Sequence, residues 1–339
     1  MHMADALVSP AVGGTMWAVA AGAIGYSSAQ LKRGNNQRRV PLMGVLGAFV
    51  FAAQMINVAI PGTGSSGHLG GGLLLAVLLG PHGALLAISS VLIVQALLFA
   101  DGGLLALGCN IVNMGIIPAY LIYPFCYRPL AGPAPTASRR SAAIMIAALV
   151  ALQSGALAVV LQTTLSGISA LPFVTFALLM QPIHLAIGLL EGVVTAAVLT
   201  LVSTARPELL ALQPSPSPAG LPLRRLLVGF FAATLVIGGL GSLAASDRPD
   251  GLEWAIRQVA GSGELANPQH GLHQVLATLQ ERLALLPDYG LKQTTAQQSA
   301  AGPSDERWGT SLAGLVAGAV TVLFLSLGAL LLGRGRSNP

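Results

Sequence analysis

Charge is scarce in this chain: only 9% of its residues are Asp, Glu, Lys or Arg, against 54% hydrophobic. A soluble domain could not bury that much apolar surface, so the expected solvent is the lipid bilayer. Aromatics are also few, at 5%, while small residues abound, which suits helices that pack closely in lipid. Cysteine is nearly missing. Cys109 and Cys126 have neither CxxC spacing nor a neighbouring His, so both read as packing residues rather than thiolate ligands. No GxxxxGK[ST] run is present to cradle ATP phosphates, no HExxH, and no local Ser/His/Asp or paired-carboxylate spacing, so no catalytic residue and no organic cofactor is expected. Residues Met1 to Pro10 contain no Lys or Arg to begin a signal peptide and no clear cleavage site follows, so the N-terminus is expected to be mature as written. The net charge of +5 would suggest nucleic acid in a soluble protein; here the bases are read as marking cytoplasmic loops, with no nucleic-acid partner.

What is present is a series of apolar runs whose flanking bases give an orientation. A spanning helix needs about 20 apolar residues. Residues 12–31 form the first candidate and end at Lys32, Arg33, Arg38 and Arg39, which puts that loop inside and the N-terminus outside. A second run, 41–59, leads outward to the glycine-rich loop at 61–72. The chain is back inside by Arg128, Arg139 and Arg140, so an odd number of crossings lies between. Three are expected: a short element near 71–81 that is too brief to span alone, then 84–99, then 104–126, with an external turn at Ala100 to Gly103. Residues 141–161 go out and 172–204 return to Arg206.

This predicts an all-α, polytopic transmembrane bundle of about seven helices over residues 1–210. A Pro/Ser-rich linker at 211–223 separates it from a second module at 224–339, with two membrane helices (about 226–244 and 311–332) around a polar extracytoplasmic segment. Multi-pass insertion in a bacterial inner membrane is expected, with the C-terminus cytoplasmic behind Arg334 and Arg336.

The chain begins Met-His. A free amine at Met1, the amide nitrogen of His2 and the His2 Nδ1 can close two adjacent chelate rings in one plane. His68, in the external SSGH loop on the same membrane face, is the candidate fourth nitrogen, and its flanking glycines permit close backbone approach. Such a planar set favours Ni(II) or Cu(II) over Zn, Mg or Ca. The bland alternative is an unremarked N-terminal histidine and a loop histidine, and spacing alone leaves both open.

Four stretches carry a resemblance: MHMADALVSP at the start, SSGHLGGGLLLAVLLGP in the loop, QALLFADGGLLALGCNIVNMG at 95–115 and PIHLAIGLLEGVVTAAVL at 182–199. Together they resemble the CbiM/NikM family, the membrane substrate-binding components of energy-coupling-factor importers for cobalt and nickel. RPDGLEWA at 248–255 is similar to the PDGLE signature of the small N component of the same systems, so the chain looks like a natural M-N fusion. The resemblance implies that the metal is held by Met1, His2 and His68, and that a transmembrane coupling (T) subunit and cytosolic ATPases are the partners. Ni2+ or Co2+ is then the transported substrate, with nickel slightly favoured. Residues Met3 to Leu7 depart from the family's usual continuation, in which an aromatic follows a short acidic or glycine-rich stretch.

Other polar residues have two readings each. Asp101 either orients a liganding imidazole or closes the external turn. His184 and Glu191, seven apart on one helix face, are expected to be hydrogen-bonded structural groups, or a proton relay if the protein is instead an ion-gradient-driven metal carrier. Gln95, Asn110 and Asn113 are expected to bond across helices. His82 lies at a cytoplasmic turn, and His270 and His273 on a solvated face. A stripe of small residues on the first span (Gly14, Ala18, Gly22) meets either the coupling subunit or a neighbouring helix. The second module is expected to lie over the mouth of the first and to assist loading or release without supplying ligands.

Overall fold

The computed structural model describes residues 1–33, 40–206, 209, 222–263 and 265–290, together with 314, 316 and 318–323. Arg38, Arg39, most of the expected linker and much of the last expected span lie outside the described residues. The molecule is a bundle of helices. They are α1 (Pro10–Arg33), α2 (Val40–Gln54), α3 (Gly72–Leu98), α4 (Leu107–Ala131), α5 (Ala137–Ser166), α6 (Phe173–Ala205), α7 (Leu223–Gly239), α8 (Gly251–Ala260) and α9 (Gly271–Leu283). One two-residue antiparallel bridge joins Val58–Ala59 (β1) to Ser66–Gly67 (β2). Among the described residues α3 to α6 are long and apolar enough to cross a membrane.

The first of these four does not cross as a straight rod. Gly80 has φ 74° and ψ 171°, outside helical space, and Pro81 follows it, so α3 is two arms, 72–79 and 81–98. Gln54 shows that the arms fold back: its amide donates to Gly70 O at 2.9 Å while its Oε1 accepts from Gln95 Nε2 at 2.9 Å. A straight helix of that length would hold its ends about 40 Å apart, so one side chain could not reach both. The short arm, about 12 Å long, is the brief element expected near 71–81, and the long arm is the run expected at 84–99. Both arms are buried almost all round, which is why an amphipathic stripe is missing from their sequence.

The loop before the short arm descends into the bundle, and glycine makes that possible. A Cβ at Gly67 would run into Ile187, at Gly71 into Val50, and at Gly72 into the Met114 carbonyl. The short arm's N-terminus is met by Glu191, which accepts from Gly70 N at 2.6 Å and Gly71 N at 3.0 Å. An intramembrane carboxylate is costly unless paired, and here the free N–H groups and positive end of a helix satisfy it.

Helix α4 carries Pro118 and Pro124 within a π-helical stretch, Val112–Tyr127. The wider turns accommodate two residues that cannot donate to a regular α ladder. Helix α1 docks on α4 where a Cβ at Gly108 would strike the Met16–Trp17 backbone. Its other small residues Gly14, Gly22 and Gly25 have nothing within 4 Å of where a Cβ would sit. Among the described residues that face meets no neighbouring helix of the chain. Helix α7 of the second module lies against α2, with Phe49 and Phe230 edge to face at 5.2 Å.

Candidate metal centre

The first eight residues do not hang free. Met3, Leu7 and Val8 are buried, and Met1 packs against Gly155. Asn110 holds the segment in register by accepting from Met3 N at 2.8 Å and donating to Met3 O at 3.2 Å, as a paired strand would. Gly103 N donates to the same carbonyl at 2.9 Å. Asp5, also buried, accepts from Ala106 N at 2.9 Å, just ahead of α4. Burial pushes its carboxyl above the usual range despite that backbone donor. Asn110 was expected to bond across helices; it grips the N-terminal strand instead, because that strand threads between the helix ends. The Met1 amine lies inside the packed region, 3.4 Å from Asp250 Oδ2.

This threading brings the three predicted ligand residues together. The His2 and His68 rings lie 5.3 Å apart between centroids and within 12° of parallel, while Met1 and His68 line one small cavity. His68 Nδ1 is 3.1 Å from Leu69 O; a carbonyl only accepts, so Nδ1 carries the hydrogen and the neutral ring has its lone pair on Nε2. Burial, then the nearby amine and His2, draws the His68 pKa down to about 4. His2 Nδ1 is 3.1 Å from Asp101 Oδ1, and His2 Nε2 is buried without a partner. Burial alone would raise the Asp101 carboxyl; attraction to His2 and hydrogen bonds from His2 and Tyr289 hold it well below the usual range.

The second module reaches the site from two directions. Its PDGLE turn is a capping box at the start of α8: Asp250 Oδ1 accepts from Glu253 N at 2.8 Å, and Glu253 accepts from Asp250 N at 3.3 Å. The turn is clamped by Ser66, whose N–H donates to Pro249 O at 2.8 Å and whose hydroxyl donates to Arg248 O at 2.7 Å. Gly251 sits where a Cβ would strike Ile183. Burial works against the Asp250 carboxylate as well, and the Met1 amine outweighs it, keeping the group ionised. From the other side Leu286 N and Asp288 N donate to Leu98 O and Phe99 O, which positions Tyr289 to donate a short hydrogen bond to Asp101. Asp250 and Tyr289 escaped the sequence reading. The D-x-x-E pattern at 250–253 was a readable signal for the cap, but nothing local marked its contact 249 residues away.

The remaining predicted residues separate. Gln95 Nε2 reaches Tyr289 at 3.4 Å as well as Gln54, tying the loop to the second module. Asn113 exchanges reciprocal bonds with Gln162 at 2.8 and 2.9 Å and lies 3.7 Å from Met3 Sδ. His184 and Glu191 do not bond to each other. His184 Nδ1 is 2.8 Å from Met180 O, and its ring borders the cavity that His68 lines. His82 is away from the centre, 2.6 Å from the Tyr120 hydroxyl. His273 is not on a solvated face: it is buried, with Nε2 2.9 Å from Val8 O, because α9 lies over the N-terminal strand. Among the described residues no group of three or more His, Cys, Asp or Glu side chains is arranged to hold a metal ion. A set built from an amine, a main-chain amide and two imidazoles contains only two such side chains.

A helical bundle with four helices long and apolar enough to cross a membrane, and a glycine loop folded into its core, defines an integral membrane helical protein. Residues 2–209 match the family described as the CbiM cobalt uptake substrate-specific transmembrane region, and residues 224–334 match the PDGLE domain. The chain belongs to the CbiM family and carries a fused PDGLE module. It is 30% identical to a putative fused nickel transport protein, NikMN, of Archaeoglobus fulgidus, over 97% of both chains. It is 34% identical to the cobalt transport protein CbiM of Sorangium cellulosum over 50% of this chain and 76% of that one. A crystal structure of a truncated transition metal transporter superposes with a TM-score of 0.53 at 29% identity, covering 60% of this chain and 99% of the other.

Proposed function

We propose that this chain is the substrate-specific component of an energy-coupling-factor importer, capturing Ni2+ or Co2+ at the extracytoplasmic face with Met1, His2 and His68. The observation that carries the reading is the threading of the N-terminal strand by Asn110 and Asp5, which delivers the amine and His2 to His68. On loading, the amine and the His2 amide would each release a proton to solvent, and the amine would leave Asp250. A half-turn of the His2 ring about Cβ–Cγ would carry Nδ1 to where Cδ2 lay and Nε2 to where Cε1 lay, so that Nδ1 turns from Asp101 to close the planar chelate and Nε2 turns toward Asp101 as a donor. Asp101 then fixes the tautomer, and Tyr289 fixes Asp101. Nitrogen in all four planar positions favours nickel. The relay needed by an ion-gradient-driven carrier loses its support, since Glu191 is committed to Gly70 and Gly71 and His184 Nδ1 to Met180.

Transport energy comes from partners in this reading, and the open small-residue face of α1 is where the coupling subunit docks. Such a face lets a second helix backbone approach closely in lipid. The test is equilibrium binding of Ni2+ and Co2+ to the purified chain, with spectroscopy of the bound ion. A yellow, diamagnetic nickel complex supports the planar set. A six-coordinate paramagnetic one overturns it.

A further inference from the structure

The cavity beside His68 has a second face that the planar set does not use. It holds about 10 Å³ of free space and is bordered by Met1, His68, His184, Ile187, Asp250 and Gly251, among others. His2 does not border it. His184 is wholly buried, its Nδ1 hydrogen is committed to the Met180 carbonyl at 2.8 Å, and so its lone pair is on Nε2. That nitrogen has no hydrogen-bond partner. Buried polar atoms are nearly always satisfied, and an imidazole anchored through one nitrogen to a carbonyl with the other left bare is the posture of a metal ligand. The Asp250 carboxylate of the PDGLE turn borders the same cavity, and the turn lies so close that a Cβ on Gly251 would sit 3.2 Å from the His184 ring edge.

We propose that His184 Nε2 and the Asp250 carboxylate form a second, weaker position for the same divalent ion, adjoining His68 and out of reach of His2. An imidazole and a carboxylate suit the borderline first-row metals. The donors do not converge as a ready three-side-chain site, which matches a station an ion passes rather than one where it rests: conduction needs sites weak enough to leave. It lies under the PDGLE turn, so the second module contributes a ligand here, contrary to the expectation that it contributes none. The inference rests on Met1, His2 and His68 forming the tighter position.

The experiment is equilibrium dialysis of untagged full-length protein against Ni2+ alone and Co2+ alone, with bound metal counted across the titration. Wild type should take up a tight ion and then a weaker second one. His184→Gln should lose the weaker ion. Asp250→Asn should do the same while keeping the α8 cap, since Asn caps helices as well as Asp does. Thermal unfolding of each variant checks that the fold is retained. The proposal is overturned if wild type never exceeds one ion, or if both variants still bind two. His2→Ala separates the two readings: it should abolish the tight ion and spare the weak one, and retention of the tight ion there would sink the Met1–His2–His68 assignment instead.

Discussion

Replacing Asn110 with Ala should weaken nickel binding although the side chain is no ligand. It removes the acceptor for Met3 N and one of two donors to Met3 O, the other being Gly103 N. Met3 is fully buried, so its N–H is left unpaired away from water, a cost of about 1–3 kcal/mol, while the carbonyl keeps one partner. The penalty falls on the docked N-terminal strand and not on the undocked one, so about 2 kcal/mol lowers the docked fraction by up to roughly 30-fold. Only the docked strand presents the amine and His2 to His68, and the apparent dissociation constant should rise by up to that factor. Two assays read the effect: equilibrium nickel binding, and hydrogen exchange at the amides of His2 to Asp5. Unchanged affinity together with unchanged exchange would refute the claim that Asn110 sets the register of the strand.

Three further outcomes follow from named contacts. Tyr289→Phe removes the donor to Asp101 but leaves the packing on Phe99, and should raise the nickel dissociation constant by about tenfold, the low end for a group that orients a metal ligand. Glu191→Gln replaces an acceptor of two N–H groups by an amide that can accept only through its one oxygen; thermal unfolding should show a loss of about 1–3 kcal/mol. Gly251→Ala introduces a Cβ against Ile183 and should unseat the PDGLE turn, seen as faster hydrogen exchange at Ser66 N, which donates to Pro249 O.

Much of the bundle was legible because apolar run length is a local signal. Even the break between the two arms of α3 was written in Gly80-Pro81. Met1, His2 and His68 were nominated by chelate chemistry and the family resemblance, and the structure brings them side by side. The loop's descent into the core was not, since it depends on which side chains leave room: Ile187, Val50 and Met114 lie far along the chain from the glycines they contact. His184 read as a hydrogen-bonded structural histidine, and its Nδ1 is bonded to Met180 O; that its Nε2 is left without a partner only the packed structure reveals. His273 read as solvated because its amphipathic helix looks like a surface helix until the N-terminal strand is placed beneath it.

The central claim is that the main chain itself ligates the metal through the Met1 amine, which requires a mature protein starting at that residue; intact mass establishes the start. The most direct measurement compares the nickel dissociation constant of that protein with one carrying a single Gly before Met1. The added residue turns the amine into an amide and displaces it from the buried position beside Asp250. The account predicts loss of the yellow diamagnetic complex and an affinity reduced at least tenfold, about 1.4 kcal/mol or more, with Asn110 still holding Met3 and the thermal midpoint close to the native one. Equal affinity and an unchanged spectrum in the extended protein would mean that the amine is not a ligand.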